Sequence, residues 1–103
     1  MSVLMELAMF PTDKGESVST YVSKVIDMIH KSGLPYKLTA MGTIVEAKEM
    51  HEALAIVQKA YDILAPESQR IYSTVKFDIR KNATNRLEGK IASIEQKIGK
   101  TNH

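Results

Sequence analysis

Four polar side chains stand among apolar neighbours where strands are expected: Glu6 in MELAMF, and Thr39, Thr43 and Glu46 in LTAMGTIVEA. A carboxylate between Leu4 and Ala8 on one strand face loses hydration unless a charge or a hydrogen bond compensates it. Glu6 therefore either pairs with Lys76 or another strand's polar group, or meets a ligand carrying a cation or an amino group. Thr39, Thr43 and Glu46 would be its hydrogen-bonding neighbours in the second case. The residues alone leave both readings open, since structural ion pairs also occupy sheet faces. Glu46 has an ordinary partner too: a two-residue turn at Met41-Gly42 sets it opposite Lys37. Met41 either lines a pocket or fills the core edge, and the second is the commoner use of methionine. Ser17 reads as a helix cap and Ser19 as a polar first-turn residue, though either reaches a ligand placed at that helix start.

Other chemistries lack their parts. HEALA, from His51, has Ala55 where a zinc helix needs its second histidine. His30 sits near a helix end and His103 is terminal, so the histidines form no cluster and no metal site is expected. Gly89-Lys90 follows no glycine loop, there is no cysteine, and no serine occupies a nucleophile elbow; no catalytic residue and no cofactor is assigned.

The 103 residues fit one domain, 1–103, with a core small enough to gain from a second packed surface. A net charge of +2 with interspersed signs gives no stripe for a phosphate backbone, and no apolar run is long enough to span a membrane. The absence of cysteine and of a signal-like N-terminus points to the cytoplasm.

The elements that must position these side chains follow from periodicity. Val3 to Phe10 is apolar on both alternating sets, as a central strand is. Val18, Val22, Val25, Ile26 and Ile29 keep helical spacing until Gly33 and Pro35. Tyr36 to Met41 and Thr43 to Ala47 form a hairpin, with Gly42 giving the turn its freedom. A second helix runs from about Lys48 to Ala65. IYSTVKFDIR, from Ile71 to Arg80, alternates as a strand, and a narrow stripe of Leu87, Ile91, Ile94 and Ile98 predicts a third helix from about Asn85.

This order makes two split βαβ halves: a ferredoxin-like α+β sandwich with a four-stranded antiparallel sheet, two helices on one face and an extra C-terminal helix. The other face would hold Leu4, Glu6, Ala8, Phe10, Ile44, Tyr72 and Thr74, too apolar for water alone, so a second subunit is expected on it.

MELAMFP, ESVSTYVSKVIDMIHKSGLPYKLTAMGTIVEA, RIYSTVKFDIR and RLEGKIASIEQKIG together resemble the YkoF-like thiamine-binding protein family over nearly the whole chain, most specifically in SGLPYKLTAMGTIVEA. Ala40 stands where members often have proline, and the Pro-Thr-Asp-Lys-Gly loop differs from the commoner version. The resemblance implies a homo-oligomer, a dimer or a tetramer, packing sheet to sheet. It further implies binding of thiamine or its hydroxymethylpyrimidine precursor without turnover. Carried onto this chain, Glu6, Thr39, Thr43 and Glu46 supply polar contacts, Phe10, Tyr36 and Met41 apolar walls, and Ser17 or Ser19 closes one end. The rival readings are a dimeric ferredoxin-like enzyme using Glu6 or Asp78 as a base, for which no charge-stabilising partner is evident, and an RNA-binding module, which the aromatic-free TIVEA strand disfavours.

Overall fold

A computed structural model describes residues 1–101, so His103 lies outside the described residues. The chain forms β1 (Ser2–Pro11), α1 (Val18–Lys31), β2 (Tyr36–Thr39), β3 (Gly42–Ala47), α2 (Met50–Leu64), β4 (Ile71–Arg80) and α3 (Arg86–Ile98). Short 3-10 turns at Gly15–Ser17 and Ala65–Glu67 lead into α1 and out of α2. The strands make one sheet in the order β2-β3-β1-β4, every pair antiparallel. This is the ferredoxin-like arrangement that the element order predicts, with α1 and α2 on one face.

Alternation along β1 explains the layering. Val3, Met5, Leu7 and Met9 are buried against Val25 and Ile29 of α1 and Ala53, Ile56, Ala60 and Leu64 of α2. Leu4, Glu6, Ala8 and Phe10 take the opposite face, where the register brings them level with Glu46 and Ile44 of β3 and with Asp78, Lys76, Thr74 and Tyr72 of β4. Phe10 and Tyr72 meet there with ring centroids 5.9 Å apart.

Three local expectations change. The hairpin turns at Ala40-Met41, because Thr39 pairs with Gly42 and Lys37 with Ile44, so Lys37 is not opposite Glu46. Lys37 instead reaches Glu88 of α3 at 2.9 Å. Gly42 also does not supply a left-handed turn residue, being absent from the positive-φ glycines. It is small because a Cβ there would lie 3.1 Å from the Leu7 carbonyl oxygen. Ser17 holds the N-cap position of α1 without a capping bond from its side chain. The preceding 3-10 turn gives it φ −84° and ψ 3°, away from the extended backbone that aims a capping oxygen at the first amides.

The third helix covers part of the face left open by α1 and α2. Its first turn packs most deeply: Arg86 and Leu87 are buried and Ile91 is half-buried, while Ile94 and Ile98 are exposed. Strands β1 and β4 pair over the full length of β1, from Ser2↔Arg80 to Pro11↔Ile71, but β3 accompanies β1 only from Val3↔Ala47 to Leu7↔Thr43. Beyond Leu7, one side of β1 is bare.

Candidate functional site

The early end of β3 opens a cleft of about 210 Å³. Leu7, Ala8, Met9 and Phe10 of β1 form one wall, the hairpin from Leu38 to Thr43 the other, and Val22, Val25, Ile26 and Ile29 of α1 the floor. The lining is mostly apolar with a few polar groups, the usual constitution of a small-molecule site. Four of the residues singled out by sequence meet here: Phe10, Thr39, Met41 and Thr43.

Their states differ. Thr43 is buried with Leu7 on the helix side of the sheet. Thr39 is tied to its own turn, donating its hydroxyl to the Gly42 carbonyl at 2.8 Å and accepting the Met41 amide at 3.2 Å. Met41 is 84% exposed at the hairpin tip and Leu38 62% exposed, so two large apolar side chains stand in water at the mouth of an apolar cleft. Sequence reasoning passed over Leu38, Val22 and Ile26. Their helical or strand spacing reads as core, and only the missing stretch of β3 turns them into a lining.

Glu6 lies outside the cleft, on the open sheet face two residues before Ala8 on the same strand. Its side chain is 45% exposed, and its cation partner, Lys76 Nζ, is 4.0 Å away on a side chain that is 80% exposed. The pair with Lys76 foreseen from the sequence is therefore present but loose. Solvent screening leaves such an exposed pair little net strength.

Glu46 is drawn into a different structure. Its Oε2 accepts the Ser2 hydroxyl at 2.6 Å and the Arg86 amide at 2.9 Å, and its Oε1 accepts the Leu87 amide at 3.0 Å. It thus caps the N-terminus of α3 from another strand; Asn85, the local cap residue, sits in the left-handed region and makes no side-chain capping bond. Arg86, only 5% exposed, donates Nε to Ser2 Oγ at 3.0 Å and a terminal nitrogen to the Ser2 and Asp78 carbonyls, and pairs with the Asp78 carboxylate at 3.0 Å. Burial opposes ionisation of Glu46, but the Ser2 hydroxyl, the Arg86 and Leu87 amides and the Arg86 charge together outweigh it and lower its pKa. Neither Ser2 nor Arg86 carries a sequence signal for this role, because the partners are 40 and more residues apart.

The remaining candidates are apart from the cleft. Tyr36 points to the helix side, its hydroxyl 2.8 Å from His30 Nδ1, and so fastens β2 to the end of α1. Ser17 and Ser19 are exposed at the start of α1; Ser19 precedes the cleft residue Val22 by just under a turn. Asp78 is held by Arg86. A larger hollow of about 420 Å³ borders Glu46 and Glu52, but both carboxylates serve helix starts there, Glu52 Oε1 accepting the Glu49 amide at 3.0 Å. Among the described residues, no three His, Cys, Asp or Glu side chains are grouped for a metal ion, and no helix is long and apolar enough to cross a membrane.

Comparison with known proteins agrees with this architecture. A UPF0045 protein of Mycobacterium bovis is 33% identical over 96 residues, 93% of this chain and 94% of its own length. A UPF0045 protein of Methanocaldococcus jannaschii is 35% identical over 92 residues, covering 89% and 91%. A crystal structure of a hypothetical protein from the same archaeon superposes with a TM-score of 0.81 at 34% identity, covering 92% of this chain and 97% of that one. The fold is shared at only 18% identity, with a TM-score of 0.79, by a candidate thiamine biosynthesis/salvage protein from Thermotoga maritima, with 91% of this chain and 99% of that one covered. The profile of the family described as "Thiamine-binding protein" matches residues 5–95. The chain belongs to the thiamine-binding protein family.

Proposed function

We propose that this protein is a non-catalytic binder of thiamine or of its hydroxymethylpyrimidine half, held in the cleft beside the β2–β3 hairpin. The supporting observation is the meeting of Phe10, Thr39, Met41 and Thr43 around one cleft in a chain of this family. At about 210 Å³ the cleft is smaller than the roughly 300 Å³ at which sites for drug-sized ligands begin, which suits one ring rather than two. The pyrimidine takes the cleft, against Phe10 and Met41. The cationic thiazolium then lies over Ala8 on the open sheet face, toward the Glu6 carboxylate, with Ser19 at the mouth. Glu46 and Tyr36 hold the frame. A second copy of the chain over Phe10, Ile44 and the half-exposed Tyr72 would close the mouth from above, as a dimer or within a tetramer. The enzymatic reading loses support because Asp78 is committed to Arg86, and Glu6 has no neighbouring group arranged to stabilise a developing charge.

Titration calorimetry with thiamine and with 4-amino-5-hydroxymethyl-2-methylpyrimidine tests the proposal. Saturable heat at one site per chain is the expected result. Silence from both ligands up to about 1 mM, a floor of roughly −4 kcal/mol, would end it.

A further inference from the structure

The direction of every main-chain polar group in the sheet can be read from two hydrogen bonds. Thr12 donates its amide to the Arg70 carbonyl at 2.9 Å, extending the β1–β4 ladder, so even-numbered residues of β1 turn their N–H and C=O toward β4. Glu46 donates its amide to the Pro35 carbonyl at 2.9 Å, so even residues of β3 face β2 and its odd residues face β1. Both bonds give the same result: Val3, Met5 and Leu7 spend their main-chain groups on Ala47, Val45 and Thr43. The close approach of Gly42 to the Leu7 carbonyl agrees with it.

The next residues directed to that side are Met9 and Pro11. Pro11 has no N–H to satisfy, which fits a strand edge without a neighbour. Met9 has both an N–H and a C=O, and β3 no longer runs beside it. The chain has turned away at Ala40-Met41, and the hairpin tip closes on itself through the Thr39 hydroxyl. Met9 lines the cleft, with its side chain packed in the core. The cleft therefore has a donor and an acceptor side by side on one wall, presented by a strand that β4 and the helices hold rigid.

We infer that the Met9 main-chain N–H and C=O form the recognition edge of the cleft, and that they take a flat heterocycle carrying an adjacent acceptor and donor. This inference rests on the thiamine reading above and specifies how that ligand is read. In an aminopyrimidine, the ring nitrogen beside the amino group accepts the Met9 N–H and the amino group donates to the Met9 C=O, as a further strand would. Side chains then supply only walls, and the polar selection is made by main chain.

Amide hydrogen exchange followed by NMR on the wild-type chain tests this. In the free protein the Met9 amide exchanges faster than those of Met5 and Leu7, and saturation with 4-amino-5-hydroxymethyl-2-methylpyrimidine slows it at least tenfold while Met5 and Leu7 change little. Replacing the ligand's amino group with methyl weakens binding at least tenfold. Should the pyrimidine bind with saturable heat and leave the Met9 amide unprotected, or should the methyl analogue bind equally well, the Met9 edge is refuted and the binding function stands. Absence of binding by thiamine and the pyrimidine alike refutes both.

Discussion

Glu46 caps the helix that Arg86 begins: one carboxylate oxygen takes the Arg86 amide at 2.9 Å, and both residues hold the Ser2 hydroxyl, at 2.6 and 3.0 Å. Three segments distant in sequence are joined at one point. Substituting Glu46→Gln leaves acceptor capacity for one of the two helix amides and removes the charge beside the buried guanidinium. The cost is about 1–3 kcal/mol in urea denaturation, the penalty of leaving buried polar groups imperfectly paired. Thiamine affinity measured on the folded variant stays within about twofold, because the carboxylate is outside the cleft.

The same carboxylate sets an acid limit on stability. Its folded pKa lies below its ordinary value of 4.5, so the unfolded chain binds more protons between the two values, and stability rises with pH across that window. The contribution is complete above about pH 5.5 and is lost as pH falls through the folded value. Thermal melts from pH 3 to 6 should show a rise in Tm that is shallower in Glu46→Gln. Equal slopes for both proteins would assign the acid sensitivity to other carboxylates.

At Glu6 the prediction separates charge from packing. Glu6→Gln keeps the shape on a half-exposed strand position, so Tm moves by no more than about 2 °C, a few tenths of a kcal/mol. Thiamine binding weakens about three- to tenfold, roughly 0.7–1.4 kcal/mol, whereas the neutral hydroxymethylpyrimidine is unaffected. A loss shared equally by both ligands would show that Glu6 acts on the cleft and not on the cation.

Gly42 is where strand spacing and cleft shape meet. In Gly42→Ala the new Cβ falls 3.1 Å from the Leu7 carbonyl oxygen and 3.7 Å from Ala8 Cβ, so the hairpin must shift by a few tenths of an ångström. Overpacking of this kind costs about 1–3 kcal/mol. Pyrimidine affinity falls with it, and calorimetry on the folded variant reads the loss directly; a wild-type affinity would place the ligand away from this hairpin.

The periodic parts of the fold were legible in the sequence, because alternation in Val3 to Phe10 and Ile71 to Arg80 and helical spacing in α1 and α2 are local signals. The faces of β1 also followed, with Ile44 of β3 on the open face as expected, but Thr43, expected beside Glu6, turns to the helix side with Leu7. The hairpin register did not: a shift of one turn residue, from Met41-Gly42 to Ala40-Met41, separates two plausible pairings, and the local pattern of the hairpin does not distinguish them. The role of Glu46 was equally hidden, since its donors come from the first residues of the chain and from α3. The four cleft residues were identifiable by type, but not as a cleft, because nothing local marks where one strand outlasts its neighbour.

The bare stretch of β1 has a bearing on how such a site changes over time. The cavity exists because a hairpin is short, so its dimensions vary with an insertion or deletion at Ala40-Met41 and need no replacement in the core. Lengthening the hairpin by one pair would fill the gap with the protein's own backbone and leave an intact sheet with nothing to bind. On the proposed reading, loss or gain of ligand is in that sense a question of chain length, decided at an exposed hairpin tip.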